Sequence, residues 1–360
     1  MKIFSGSSNK PLAKKIAKEL KIELSELEIH VFPDEEKRIR VVDKVVGEDC
    51  VVVQSACANA DKNYMELFFI VDALKRSAAK SVTAVISYLG YQRQDHVFRD
   101  GEAVSLEVVI KILEGVGVDR VITFDLHSIK SPEFFKIPVV HLSALPLFGE
   151  KIGALRSLRQ FDDSLSEKGS SHPLNDSSSP NLKQPTNLAR AEFSKNVSLK
   201  RSFKSSFRGE TRPFPTFPRF HNLVLVSPDM GGIRRIKMLS EMLSNMPYAT
   251  IEKNRDLRSG KVEAVKIHGI VKKMVIIVDD MISTGNTIVA AVDLLRKKGA
   301  EEIVVFATHP VFSSNASKIL QESSVEKVFV TDTIAIPKEK EFSKLKVLSV
   351  AEMIAKNIKD

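Results

Sequence analysis

The sequence predicts an α/β protein of two successive units, each a mainly parallel sheet flanked by helices. Three observations carry that reading. Short apolar runs rich in β-branched residues recur along the chain, such as "CVVVQSA" at 50–56 and "KKMVIIVDD" at 272–280. They lack the in–out alternation of a half-exposed strand and suit strands covered on both faces. Amphipathic stretches with apolar residues three and four apart alternate with them, as in "NYMELFFIVDALKRSAA" at 63–79. The alternation lapses after residue 150 and resumes at Asn222, giving units at 1–150 and 222–360 with a different kind of segment, 154–221, between them.

In order, the first unit reads as strand at 50–56, helix at 63–79, strand "SVTAVISYLGY" at 81–91 and strand "VDRVITFDLHS" at 118–128. The second opens with "NLVLVSPDMGG" at 222–232, a strand that ends in a glycine pair. It continues with helix "IRRIKMLSEMLSN" and strands "YATIEKN", "KKMVIIVDD", "EEIVVFATHP" and "VEKVFVTDT", separated by helices in its later part. In such sheets ligands gather at the carboxyl ends of the strands, so the residues just after each run are the candidate site.

The intervening segment is unlike either unit. Its first part, "SEKGSSHPLNDSSSPNLKQPTN", is thick in Ser, Pro and Asn and reads as a disordered insertion. Its second, "LKRSFKSSFRGETRPFPTFPRFHN", interleaves five Phe with basic residues. We read it as a loop that packs its phenylalanines on the protein's own surface; a nucleic-acid or membrane-surface contact is the alternative, because aromatic and cationic groups together favour stacking and phosphate binding. From Ala154 to His221 twelve Lys/Arg face six Asp/Glu, two thirds of the net charge of +9, so the basicity says little about the folded units. No apolar run approaches a membrane span and no signal-peptide pattern is evident, which argues against a membrane protein. Cys50 and Cys57 lack metal-ligand spacing and read as reduced thiols, and the expected location is cytoplasmic.

The chemistry is concentrated at 279–287. Asp279 and Asp280 follow a buried run and lead into Ser283, Thr284, Gly285, Asn286 and Thr287 at the start of a helix. A small-residue loop at a helix N-terminus offers free amides and the positive end of a dipole to an anion. Two carboxylates beside it do not serve the anion; they suit hydroxyls or a divalent cation. A sugar phosphate with its diol satisfies both halves of the loop, and a solvated strand-to-helix turn is the alternative.

Further motifs complete a pattern: "FPDEE" at 32–36, "SYLGYQRQDHVFR" at 87–99, "TFDLHS" at 123–128, "SPDMGG" at 227–232 and "ATHPVFSSNA" at 307–316. With "IVDDMISTGNT" at 277–287, their order and spacing resemble the ribose-phosphate pyrophosphokinase family, which has the type I phosphoribosyltransferase fold. The resemblance covers nearly all of the chain outside 154–221. It implies two tandem phosphoribosyltransferase-like domains and transfer of the diphosphoryl group of Mg-ATP to the 1-hydroxyl of ribose 5-phosphate. It also implies Mg2+ as cofactor and a homo-oligomer, a hexamer built from dimers.

The roles it implies are these. Asp279 and Asp280 bind the ribose hydroxyls, and Ser283 to Thr287 hold the 5-phosphate. Lys253 and Arg255 belong to a mobile catalytic loop that closes over the triphosphate. Phe32 stacks on adenine, Asp34 and Glu36 accept from its amino group, and Arg93, Gln94 and Arg99 grip ATP, together with His127. No Walker loop is present, so ATP must be held this way. His127 and Asp229 lie at the metal, and Ser313 and Ser314 resemble part of a regulatory phosphate site. The chain departs from the family pattern at Ser283, where relatives often carry Asp, and at Asn254, His96 and Val97, where they often carry cations. A noncatalytic homologue that regulates true synthetase subunits is the competing reading. An ordinary phosphoribosyltransferase leaves "FPDEE" and "GYQRQDHVFR" unexplained.

Overall fold

The computed structural model describes residues 1–154, 222–255 and 262–359, with backbone alone for 253–255 and 262–265. The insertion expected at 154–221 therefore lies outside the described residues except for Ala154, which is helical. The first half carries a five-stranded, fully parallel sheet in the order β1 (Lys2–Ser5), β4 (Asp49–Val53), β5 (Ser81–Val85), β6 (Arg120–Phe124), β7 (Val139–Leu142). A separate antiparallel hairpin, β2 (Leu27–Val31) with β3 (Lys37–Val41), joins neither larger sheet. Its helices are α1 (Lys10–Leu20), α2 (Ala60–Arg76), α3 (Ser105–Gly115) and α4 over 145–154.

The second half carries a seven-stranded sheet. Its order is β10 (Val262–His268), β9 (Tyr248–Arg255), β8 (Leu223–Ser227), β11 (Met274–Ile282), β12 (Glu302–Pro310), β13 (Lys327–Thr331), β14 (Leu345–Leu348). Every pairing is parallel except β9 with β10, a long antiparallel hairpin. The helices here are α5 (Ile233–Met242), α6 (Asn286–Lys297), α7 (Ala316–Glu322) and α8 (Ala351–Lys359). The α/β class with two mainly parallel, helix-flanked sheets is as the sequence predicts.

The unbroken apolar runs follow from burial on both faces. In β4, Val52 joins the core under α2 and α3, while Val51 and Val53 join the core under α1. In β11, Val275 and Ile277 pack beneath α6 and α7, whereas Ile276 and Val278 pack beneath α5. Alternate residues thus feed opposite cores, so neither face is left for polar side chains.

Two helices cross between the halves. Residues 144–152 bury Ala144, Leu145, Phe148 and Ile152 with Leu223, Leu225 and Ile236 of the second half. In exchange, α8 lays Ala351, Ile354 and Ala355 beside Leu12 and Ile16 of the first. Hydrogen bonds add to this exchange: Thr308 Oγ1 to Asp125 Oδ2 at 2.6 Å, Ser87 Oγ to the Thr333 carbonyl at 2.6 Å, and Asn9 Nδ2 to the Asp332 carbonyl at 2.9 Å. These links hold the carboxyl ends of β5 and β6 against those of β12 and β13. Among the described residues no helix is long and apolar enough to cross a membrane.

Candidate active site

His127, three residues past the end of β6, meets Asp280, near the end of β11. Their Nδ1 and Oδ2 atoms are 2.8 Å apart. Asp280 has 7% of its side chain exposed, while His127 has 48% and so keeps one edge open to solvent. Arg235, in the first turn of α5, lies 3.7 Å from Asp279 Oδ1 and 3.6 Å from Asp280 Oδ2. The Asp280 amide also donates to Asp279 Oδ1 at 2.9 Å. The His127 amide donates to Gln92 Oε1 at 3.1 Å, which fixes the backbone that presents the ring.

Two adjacent buried carboxyls share one guanidinium, and they divide unequally. Burial, then the charge of Asp280, lifts the Asp279 carboxyl well above its ordinary range and favours its neutral form. Burial alone would lift Asp280 as well, but the His127 hydrogen bond and Arg235 reverse that and hold it well below. In return the Asp280 hydrogen bond raises the His127 pKa above 6.5 in spite of partial burial. A raised histidine contributes stability below its unfolded value, and that contribution is lost as pH rises through the folded value. The thermal midpoint of the wild type is therefore expected to exceed that of His127→Gln at pH 6, with the gap closing toward pH 9. A gap that does not change with pH would show that His127 remains neutral throughout. Solvent screening at the half-exposed ring keeps the effect small.

Beyond Asp280 the chain turns through Ser283–Gly285 into α6. Gly285 takes φ +81° at the N-cap, a left-handed conformation natural to glycine, and no side chain caps the helix. The amides of the first turn therefore remain available to an anion. The Ser313 turn backs this loop: its amide donates to the Ser283 carbonyl at 3.0 Å and the two hydroxyls stand 3.3 Å apart. Ser313, expected from the sequence in a regulatory site, thus touches the 283–287 loop itself, and Ser314 follows it with φ +52°.

Asp229 lies in the turn after β8, on the arm that leads to Arg235. Its Oδ1 accepts from the Gly232 amide at 3.2 Å, and the Ser227 hydroxyl donates to its carbonyl at 2.8 Å. A Cβ on Gly232 would stand 2.2 Å from Ser227 Oγ, so the second glycine serves this tight turn. Asp125, adjacent in sequence to the "DLH" histidine, is not a free carboxylate. It accepts from Ser143 Oγ at 2.7 Å, the Ala144 amide at 2.9 Å and Thr308 Oγ1 at 2.6 Å.

The other sequence-predicted residues lie on other segments. Phe32, Asp34 and Glu36 form the exposed tip of the β2–β3 hairpin. The Phe32 ring meets His30 edge-on at 4.6 Å, with the Arg38 guanidinium 5.9 Å from its centroid. Arg93, Gln94 and Arg99 are exposed on the segment between β5 and α3, where Glu102 accepts from the Arg99 amide at 3.0 Å. Lys253 and Arg255, expected within a mobile loop over 251–260, instead lie in the strand β9, with backbones registered to Val265 and Val262 of β10; residues 256–261 lie outside the described residues. Sequence reasoning missed Arg235 and Gln92. The signal for Arg235 was a cation three residues after the glycine pair, hidden because "IRRIK" also reads as a helix's solvent face.

Among the described residues no group of three or more His, Cys, Asp or Glu is placed to hold a metal ion. Mg2+ prefers oxygen, keeps several waters, and commonly takes one or two carboxylates plus substrate phosphates. Asp229 supplies one carboxylate of that kind, whereas an imidazole such as His127 is an unusual Mg2+ ligand, so these residues suit an ion carried in on a nucleotide better than a resident one.

Comparison with known proteins agrees with this architecture. Residues 1–117 match the family model described as the N-terminal domain of ribose phosphate pyrophosphokinase, and residues 249–360 match the phosphoribosyl synthetase-associated domain. The chain is 34% identical over 359 residues to a ribose-phosphate pyrophosphokinase of Fusobacterium nucleatum, covering 99% of this chain and 94% of the relative. It is 32% identical over 360 residues to ribose-phosphate pyrophosphokinase 1 of Streptococcus agalactiae, covering 99% and 92%. The crystal structure of phosphoribosylpyrophosphate synthetase from Mycobacterium smegmatis superposes with a TM-score of 0.77 at 30% identity, covering 99% of this chain and 97% of that one. Agreement in sequence and fold runs through both halves from end to end, and the chain belongs to the ribose-phosphate pyrophosphokinase family.

Proposed function

We propose that this protein is an active ribose-phosphate diphosphokinase, which transfers the β,γ-diphosphoryl group of Mg-ATP to the 1-hydroxyl of ribose 5-phosphate and releases AMP. The observation that carries the proposal is the junction of the halves: His127 of the first reaches Asp280 of the second, beside an uncapped helix N-terminus. In this reading the halves act as the tandem phosphoribosyltransferase-like domains expected from the sequence.

Residues 283–287 hold the 5-phosphate through backbone amides, which tolerates Ser283 in place of a carboxylate. Asp279 and Asp280 orient the ribose hydroxyls, and Arg235 offsets their charge. His127 and Asp229 contact the Mg2+ that accompanies ATP, and the ion offsets charge on the phosphates. Arg93, Gln94 and Arg99 grip the nucleotide and Phe32, Asp34 and Glu36 receive its base, across a subunit boundary. Lys253 and Arg255 neutralise charge that grows on the phosphate oxygens, the main demand of phosphoryl transfer. Met65 and Phe69, one turn apart on α2, are exposed together with Val31 and Phe32 of the hairpin, which supports a homo-oligomer that covers them.

The direct test measures AMP release from ATP with and without ribose 5-phosphate in the presence of Mg2+. Sugar-dependent AMP is the expected result; none, from folded protein, would favour the noncatalytic regulatory reading. Removing 158–216 and joining the ends with a short Gly/Ser linker is expected to leave that activity largely intact. The segments on either side of the gap, 144–152 and 223–225, are anchored in one core, so a short link suffices. A shortened chain that fails to fold would make the insertion part of the structure.

A further inference from the structure

The β2–β3 hairpin carries Phe32, Asp34 and Glu36 but, among the described residues, shares no strand pairing with either large sheet. A two-stranded hairpin has little stability of its own, so its position depends on what it leans against. Its base is secured by apolar packing, since Leu27, Ile39 and Val41 rest on the first-half core. The tip is exposed, and charge fastens it to α2. Lys37, the residue after Glu36, places Nζ 2.6 Å from Glu66 Oε2. One turn earlier on α2, Lys62 stands 2.7 Å from Glu35 Oε2.

Glu66 is fully buried and makes four contacts. Besides Lys37 it accepts from the Ser7 amide at 2.6 Å, Ser7 Oγ at 2.9 Å and Gln54 Nε2 at 3.0 Å. Ser7 and Gln54 stand just past the carboxyl ends of β1 and β4, the edge where parallel sheets place ligands. Burial opposes ionisation of Glu66, yet Lys37 and Ser7 more than offset it, so the carboxyl stays below its ordinary range. A buried carboxylate with this many donors is a costly way to hold a loop unless it fixes geometry.

We propose that Glu66, acting through Lys37, is a positioning residue that sets the hairpin tip for the base of the nucleotide, with Glu35–Lys62 as a second, exposed support. This rests on the functional reading above. The ion pairs Glu35–Lys62 and Lys37–Glu66 form two rungs of opposite polarity, which also opposes a slip of the hairpin along α2.

Lys37→Met keeps the aliphatic stem and leaves Glu66 its Ser7 and Gln54 donors, so the variant is expected to fold. It should raise the KM for ATP by roughly tenfold, while kcat and the KM for ribose 5-phosphate stay within about twofold of wild type. Binding of a nonhydrolysable ATP analogue should weaken in parallel. Glu35→Lys and Lys62→Glu should each weaken ATP binding mildly, and the double exchange should restore it. The chain has no Trp, so Phe32→Trp supplies a single fluorophore at the tip. Adding Lys37→Met should increase its quenching by acrylamide. Unchanged quenching with unchanged ATP affinity overturns the clamp, as does an equal loss for both substrates. Increased quenching in a protein that binds no ATP analogue would keep the clamp and defeat the nucleotide reading instead.

Discussion

Lys253→Ala is expected to lower turnover by two or more orders of magnitude while leaving the KM for ribose 5-phosphate close to that of the wild type. Diphosphoryl transfer requires little covalent help and much charge compensation, and removing one donor that acts only in the transition state costs about 3–4 kcal/mol. The backbone at 253 belongs to a regular antiparallel arm, registered to Val265, and Glu252 beside it pairs with His268 across the two strands at 2.6 Å. An arm so anchored survives truncation of one side chain, so the thermal midpoint should not move. Steady-state AMP formation and a melting curve on the same preparation check both halves of the expectation. Turnover at the wild-type level would remove Lys253 from the chemistry; a collapsed melting curve would make its role structural.

How much of this was legible in the sequence differs by kind of residue. The central parallel strands were, because strands such as β4 and β11 feed two cores and their apolar runs have no gaps; the short edge strands β7 and β14, only partly buried, were not. The hairpin strand β10 was not: "VEAVKIH" carries a register shift between Val262 and Ala264 that breaks its alternation. The β2–β3 strands were also missed, since "LEIHV" and "KRIRV" lie half in solvent and read as ordinary charged surface. At the candidate site, Asp279 and Asp280 stood out because carboxylates rarely end a buried run. Arg235 did not, because what gives it meaning is the approach of α5 to β11, a tertiary fact. The exchange of α4 and α8 between the halves likewise has no local signature; each is simply an amphipathic helix. Asp125 teaches the converse. Its place in "TFDLHS" suggests chemistry, yet all its acceptor capacity that the structure shows goes to Ser143, Ala144 and Thr308.

The adjacent aspartates should respond in opposite ways to the same isosteric change. Asp279 sits beside an ionised neighbour and favours the neutral acid, so Asn is a close mimic of its ligand-free state, and Asn Oδ1 can still accept from the residue 280 amide. A carboxyl with a raised folded pKa loses stability as pH climbs above its unfolded value, so Asp279→Asn removes a penalty at neutral pH. Its thermal midpoint should equal or slightly exceed that of the wild type. Asp280→Asn instead withdraws the charge that His127 and Arg235 face. Leaving a buried cation underpaired is costly, though Asp279, freed of its neighbour, can ionise and replace part of the loss. A net cost of about 2 kcal/mol, or roughly 3 °C in a chain of this size, is expected. Asp280→Asn should bind ribose 5-phosphate at least about tenfold more weakly, because a charged hydrogen bond to a hydroxyl contributes about 1.5–3 kcal/mol. Asp279→Asn replaces a neutral acid and should weaken binding only about threefold, in line with the roughly 0.5–1.5 kcal/mol of a neutral bond. Calorimetric binding of the sugar phosphate and melting curves at neutral pH separate the two effects. If Asp279→Asn destabilises as much as Asp280→Asn, the unequal sharing of Arg235 is wrong; if neither weakens sugar binding, these carboxylates do not hold the ribose.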